Sequence, residues 1–433
     1  VLPVQQNDPR TIRAWAMYDW ANSAYALVIS SAIFPAYYNT ITSKDGNSRV
    51  SILNMEIENT ALYSVALGLS FGLVAFLSPL LSAIADYTGN QRSFMQFFCT
   101  MGALACMGLF FFTGPDTLWV GVLGLMLSTM GYAGSMVYYH AYLPAIADEA
   151  TQDKVSARGF AYGYIGATTL LIINLLFILN EQALGIRDPT LLPRLAFVSV
   201  GLWWIGFAQI TFRHLPKGIN QTKPESRLIF HGYKELIKTW RQVRSNPWLK
   251  RFLAAFFFYA MGVQTVMFMA ASFGEKEIGL SLTALIATVF SLEYIAIGGA
   301  YLFAFISERW GNIRALMLAV VIWIGICVGA YHINSAGAFF VCAFFIGIVM
   351  GGIQALSRST YAKLIPKNGH NAGFFSFFDV SEKVAIMLGL LMFGTLDQLT
   401  GSMRNSIVAL GIWFVIGWLF LAGMRNYQRP AAQ

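Results

Sequence analysis

Residues 86–92 read Asp86-Tyr87-Thr88-Gly89-Asn90-Gln91-Arg92, and residues 308–314 read Glu308-Arg309-Trp310-Gly311-Asn312-Ile313-Arg314. An acid, a glycine, an asparagine and an arginine recur at identical spacing, 222 residues apart. The same offset carries Tyr139 onto Tyr361 and Leu143-Pro144 onto Ile365-Pro366. Agreement at two separate places marks a duplicated chain. Glycine permits a sharp turn out of a helix. The acid can pair with a base or with a helix N-terminus, and let go again when elements move. Asp86, Gly89 and Arg92 in the first copy, and Glu308, Arg309, Gly311 and Arg314 in the second, are therefore candidate gating loops.

The sequence around these loops is that of a membrane protein. Of 433 residues, 57% are apolar and only 12% are Asp, Glu, Lys or Arg, about half the roughly 25% that soluble domains carry. Soluble enzymes and nucleic-acid binders are excluded, despite a net charge of +8. A bilayer core of ~30 Å needs about 20 apolar helical residues. That ruler predicts twelve spans, near 12–41, 60–86, 94–113, 117–143, 157–180 and 194–213, then 251–273, 281–306, 314–332, 336–362, 371–395 and 404–425. The runs are continuous rather than alternating, which excludes a β-barrel. Pro35, Pro79 and the pairs Gly298-Gly299 and Gly351-Gly352 are tolerated within spans because packing re-satisfies the backbone.

Basic residues orient the spans. With the N-terminus inside, six of the 29 Lys and Arg fall outside (Lys44, Arg49, Arg187, Arg194, Lys276 and Arg404), and Lys383 lies within a span. The rest face the cytoplasm, as do both termini. Arg10 and Arg13 precede an apolar run too long for a signal peptide, which reads as a retained first span. The expected organisation is two six-helix bundles, 1–213 and 251–433, joined by a basic cytoplasmic linker, 214–250. In the linker Ile229, Tyr233, Leu236, Ile237, Trp240 and Val243 share one helical face, with Lys234, Lys238, Arg241 and Arg244 mostly opposite. Such a helix lies on an anionic leaflet; a solvated linker is the plainer alternative.

Parallel repeats of six helices, related by an axis along the membrane normal, resemble the major facilitator fold, and the repeated loop resembles that superfamily's signature after spans two and eight. The first copy departs from it at Ser82 and Tyr87. A narrower resemblance rests on Trp15-Ala16-Met17-Tyr18-Asp19-Trp20-Ala21-Asn22-Ser23-Ala24-Tyr25 with Phe34-Pro35, on Leu143-Pro144 and Ser156-Ala157-Arg158-Gly159-Phe160 with Gly163-Tyr164, and on Gly351-Gly352-Ile353-Gln354-Ala355-Leu356-Ser357-Arg358-Ser359. Together these are similar to the vacuole-effluxer branch, which holds the autophagy-related amino-acid effluxers of fungi and bacterial relatives. The resemblance implies a secondary transporter, with amino acids as substrate class. The chain is compact, without a long hydrophilic tail, so it looks more like a bacterial member of the inner membrane.

Ionisable groups inside spans are costly and mark function. Asp19 shares a helix face with Asn22, Ser23, Ala26 and Ser30, a polar stripe suited to a wet cavity. It is a proton carrier or an amine-binding group; the alternative is a structural acid held by a neighbouring base. Glu293 falls near the middle of the eighth span, where the repeat places Phe71. That asymmetry points to proton coupling, with a buried hydrogen bond as the alternative. Asp379 and Lys383 form an i, i+4 pair that can neutralise itself, leaving Glu382 over; Lys383 could instead bind a carboxylate or swap partners. Arg358 has a fork suited to carboxylate or phosphate, though the positive-inside bias accounts for it as well. Gln264, Gln354, Tyr18 and Tyr25, with Tyr138, Tyr139 and Trp20, are candidate cavity liners, and His140 could titrate near pH 6.5.

No phosphate-binding loop, nucleophile elbow or metal-ligand spacing appears, and Cys99, Cys106, Cys327 and Cys342 sit in apolar runs. The expectation is no enzyme, no cofactor and no metal. It is a monomeric secondary transporter whose partners are a small polar solute, protons acting through Asp19 or Glu293, and membrane lipid. A lipid-handling protein on the same scaffold is the alternative, and a non-transporting sensor a third class.

Overall fold

The computed structural model describes residues 6–42, 49–52, 55–216, 228–280, 282–366, 371–400 and 402–425. Lys44, the expected linker's residues 217–227, the side chain of Ile229 and both chain ends lie outside the described residues.

The chain begins with α1 (Pro9–Ala24), a π-helical stretch (Tyr25–Ala32) and α2 (Ile33–Thr42) in direct succession. Asp8 caps α1: its carboxylate accepts from the Thr11 amide at 3.0 Å and the Thr11 hydroxyl at 2.7 Å. Pro9 follows, at the one helical position where its missing N–H costs nothing. The π stretch precedes Pro35, which cannot donate back into the preceding turn. A two-stranded antiparallel hairpin, β1 (Arg49–Ile52) and β2 (Met55–Glu58), pairs Arg49 with Glu58 and Ile52 with Met55. These residues alternate polar and apolar with period two, a short signal that twenty-residue windows pass over.

Then come α3 (Asn59–Thr88), α4 (Gln91–Gly108), α5 (Leu118–Ala141), the one-turn α6 (Leu143–Ile146), α7 (Gln152–Leu179) and α8 (Leu191–His214). They are followed by α9 (Leu228–Ser245), α10 (Pro247–Lys276), α11 (Leu282–Trp310), α12 (Asn312–Tyr331), α13 (Ala336–Leu364), α14 (Asn371–Thr400) and α15 (Met403–Ala422). Among the described residues ten helices are long and apolar enough to cross a membrane. The sequence reading expects twelve. The two expected spans outside the ten, 9–42 and α14, are those that carry Asp19 and the Asp379, Glu382, Lys383 group. Polar load separates them from the rest.

The chain divides into two compact units: Val1–His140 with Tyr162–Ser226, and Ala141–Ala161 with Arg227–Gln433. In the first, α1 and α4 pack on α8. In the second, α11 packs on α13, α15 on α10 and α12, and α14 on α10. The α11–α13 contact is backbone on backbone, because a Cβ at Gly351 would strike the Ala296 carbonyl and one at Gly299 the Ile348 carbonyl. Small residues at such a crossing are how spanning helices gain dispersion contact in lipid.

The linker helix α9 buries Thr239 and Val243, half-buries Leu236 and Ile237, and exposes Tyr233 and Trp240 beside Lys234, Lys238, Arg241 and Arg244. The Trp240 ring lies 5.5 Å from that of Phe377 on α14.

Candidate functional site

In the first unit, aromatic packing around α1 holds a buried acid. Trp15 stacks on Tyr139 of α5 with centroids 4.5 Å apart, and its indole N–H donates to the Tyr139 carbonyl at 3.0 Å. Tyr18 packs nearby, its ring 5.3 Å from that of Tyr139. The clamped Tyr139 hydroxyl donates to Asp19 Oδ2 at 2.6 Å. Asp19 is 3% exposed. One turn on, the Asn22 amide lies 2.7 Å from the Met136 sulfur, and Ser23 Oγ lies 3.5 Å from Asn22 Oδ1. Tyr25 shares a 2.7 Å hydrogen bond with Thr129. Of the polar stripe predicted on α1, Asp19 and Asn22 thus face α5 side chains of their own unit, whereas Ser23 lies against Gly163 of α7 and Ala26 and Ser30 are half-buried.

In the second unit, charges sit in mid-helix. Asp379 and Lys383 are one helical turn apart on α14, and the Lys383 ammonium meets Asp379 Oδ1 at 2.7 Å. Glu382 Oε2 lies 3.6 Å from the same ammonium. From α10, the Gln264 amide donates to Glu382 Oε1 at 3.1 Å. Asp379 Oδ2 is buried without a hydrogen-bond partner. Burying an ion pair costs more in desolvation than a hydrophobic replacement would, so packing alone gives no reason for this group. Glu293 is half-buried on α11, three and seven residues before buried Ala296 and Ala300 and so on the packed face. Gln354 reaches toward the Met267 sulfur at 3.8 Å.

A second polar cluster gathers where α7 and α12 begin and α13 ends. Asp153, 3% exposed, accepts from Ser307 at 2.8 Å, Asn312 at 2.7 Å and Lys363 at 2.7 Å. Lys363 also donates to Asn312 Oδ1 at 2.9 Å. One turn along α7, Ser156 receives Arg358: Nε donates to its hydroxyl at 2.9 Å and Nη2 to its carbonyl at 2.7 Å. The Ser156 hydroxyl in turn donates to the Ala355 carbonyl at 2.7 Å. The Arg358 guanidinium lies 4.3 Å over the Phe160 ring, and Ala157 packs against Ala300, Ala304 and Ala355. Arg358 is thus engaged by protein groups.

The repeated loops divide in role. Gly89 and Gly311 have φ of +67° and +83°, the left-handed region that favours glycine. Asp86 accepts from Gln91, and Arg92 donates to the Leu215 carbonyl at 3.3 Å. Glu308 meets Lys154 at 2.7 Å in an exposed pair, a type worth little. Arg309 covers the Phe305 ring at 4.3 Å, and Arg314 is exposed. In the second copy the residue at the cluster's centre is the repeated asparagine, Asn312, not the acid or the arginines. Sequence reasoning about charge missed Asn312, Asp153, Ser307 and Lys363. The available signals were the recurrence of the asparagine in both loops and an acid three residues before Ser156.

Among the described residues no group of His, Cys, Asp and Glu could hold a metal ion.

These helices, with their buried ionic groups, are those of a membrane transporter of the major facilitator type, and the fold comparison agrees. The proton:xylose symporter XylE bound to 6-bromo-6-deoxy-D-glucose superposes with a TM-score of 0.72 at 13% identity, covering 96% of this chain and 95% of that one. FucP in the outward conformation gives 0.69 at 12% identity, covering 98% and 99%. The chain belongs to the vacuole effluxer Atg22-like family, whose model matches residues 7–431. It is 33% identical to the uncharacterized MFS-type transporter YxiO of Bacillus subtilis, over 94% of this chain and 93% of that one. It is 21% identical to autophagy-related protein 22-2 of Emericella nidulans, over 85% and 77%. Membership of this family makes it a transporter and not an enzyme.

Proposed function

We propose that the protein is a proton-coupled secondary transporter that moves a small polar solute, an amino acid or related metabolite, by alternating access. The reading includes twelve spans in two pseudo-symmetric six-helix bundles, 1–213 and 251–433. It also places both termini in the cytoplasm of a bacterium, α9 on the anionic inner leaflet, and a monomer as the working unit. Its support is family membership together with one observation. Segment 141–161 is held to second-half helices by Asp153 with Ser307, Asn312 and Lys363, and by Ser156 with Arg358. Polar contacts of this kind can be exchanged for water when elements move, as an alternating gate requires.

The test is uptake of radiolabelled amino acids, sugars and organic phosphates into proteoliposomes under an imposed pH step. Amino-acid flux that follows the pH step supports the reading. Flux confined to sugars or phosphates removes the amino-acid assignment, and movement of labelled phospholipid without solute flux overturns transport of polar solutes.

A further inference from the structure

We propose that Glu382 is the residue that binds and releases the coupling proton, as the second of two carboxylates sharing the single ammonium of Lys383. This rests on the proton-coupled reading above and places the proton on α14 instead of at Asp19 or Glu293.

Charge count and geometry carry the argument. Among the described residues Lys383 is the one cation paired with either carboxylate, at 2.7 Å from Asp379 and 3.6 Å from Glu382. With all three groups ionised the cluster holds one surplus negative charge. Its centre lies about three helical turns from the start of α14 and five from its end, a depth that the proposed function puts within the bilayer, where a surplus charge is costly. One added proton makes the cluster neutral. The two carboxylates are not equivalent receivers. Asp379 is 1% exposed and in contact with the ammonium, whereas Glu382 is 24% exposed and only loosely paired. The amide of Gln264 donates to Oε1, leaving Oε2, the oxygen nearer Lys383, as the atom that takes the proton.

The step balances without another reactant. A proton from water forms an O–H bond at Oε2, the Lys383–Glu382 attraction lapses, and the ammonium stays with Asp379. On release the O–H bond breaks, the proton returns to water, and the ammonium is shared again.

Among the described residues, no salt bridge joins the Asp379–Glu382–Lys383 group to a charged side chain of a neighbouring element. From α10, Tyr259 bonds Ser357 at 2.7 Å. From α13, Arg358 is held by Ser156, Lys363 by Asp153, and the Tyr361 hydroxyl by the Phe374 carbonyl. On α15 the one charged side chain, Arg404, is bonded to Glu277 at 2.9 Å. On α9 the ring facing α14 is that of Trp240. The other two acids fit less well. Asp19 is almost fully enclosed under the Tyr139 hydroxyl. Glu293 has no ion pair among the described residues that a proton would release.

The test is pH-jump infrared difference spectroscopy on the purified full-length protein in lipid, with no solute added. The expected result is that one component of the carboxylic-acid C=O band appearing as the pH falls is missing in Glu382→Gln and present in Asp19→Asn and Glu293→Gln. A spectrum of Glu382→Gln with no component missing, or the loss of that same component in Asp19→Asn or Glu293→Gln, overturns the assignment. If Glu382→Gln does not fold, Gln264→Leu decides: removing the donor to Oε1 moves the band to higher wavenumber, and an unmoved band overturns the proposal. Because no transport is measured, a negative spectrum leaves the flux experiment standing, and a negative flux result leaves the spectrum readable.

Discussion

At the scale of single residues, a carboxylate buried between helices survives only through its donors. The Tyr139 hydroxyl supplies Asp19 with one short hydrogen bond at 2.6 Å, and Trp15 stacked at 4.5 Å keeps that ring in place. Tyr139→Phe preserves the stack and removes the donor. A lost bond to a buried charged group costs about 1.5–3 kcal/mol. The expected outcome is a thermal midpoint lower by several degrees in lipid nanodiscs, with part of the loss recovered when Asp19→Asn is combined with it. An unchanged midpoint would show that Asp19 does not depend on Tyr139. Asp19 was legible in the sequence because an acid in an apolar run stands out. Tyr139 was legible as the residue that the 222-residue offset carries onto Tyr361 and as one aromatic among many, but not as the donor to Asp19, since that depends on a hydroxyl direction that no spacing encodes.

At the scale of helices, close approach does what apolar burial cannot do in lipid. Gly351 and Gly299 let α13 and α11 touch backbone to backbone, while Gly68 on α3 has nothing within 4 Å of an added Cβ. Gly351→Leu forces a branched side chain into the Ala296 carbonyl, and overpacking of this kind costs about 1–3 kcal/mol or more. It should lower the yield of monodisperse protein on size exclusion sharply, while Gly68→Ala behaves as wild type. Equal behaviour of the two variants would mean that the α11–α13 crossing does not hold this unit together. The helices themselves were legible because a span of about 20 apolar residues is a long signal. The hairpin of β1 and β2 was not, since eight strand residues carry too short an alternation to register beside thirty-residue helices. The motif copies were legible as loops through their glycines. Two of the partners of Asp153 were not, because Ser307 and Asn312 are uncharged residues whose role depends on where α7 begins.

At the scale of the molecule, the chain is not divided at the basic linker where the sequence predicts its boundary. Segment 141–161 belongs to the compact unit of residues 227–433, while the rest of α7 belongs to the other. The gate proposed at the Asp153 cluster should be released by removing its central acceptor. Asp153→Ala strips one partner each from Ser307, Asn312 and Lys363. Breaking a buried pair is worth about 3 kcal/mol, which shifts a two-state equilibrium by a factor of order 100. Ala157, fully buried four residues on, reports that shift when replaced by cysteine. In a background with the four native cysteines replaced by serine or alanine, Ala157→Cys should resist a maleimide and become labelled at least tenfold faster once Asp153→Ala is added. Lys363→Ala should act in the same direction but more weakly, since Ser307 and Asn312 still hold the acid. If labelling at position 157 is already fast with Asp153 intact, or stays slow without it, the Asp153 cluster is a permanent brace, and the moving contact of the transport cycle lies elsewhere in the chain.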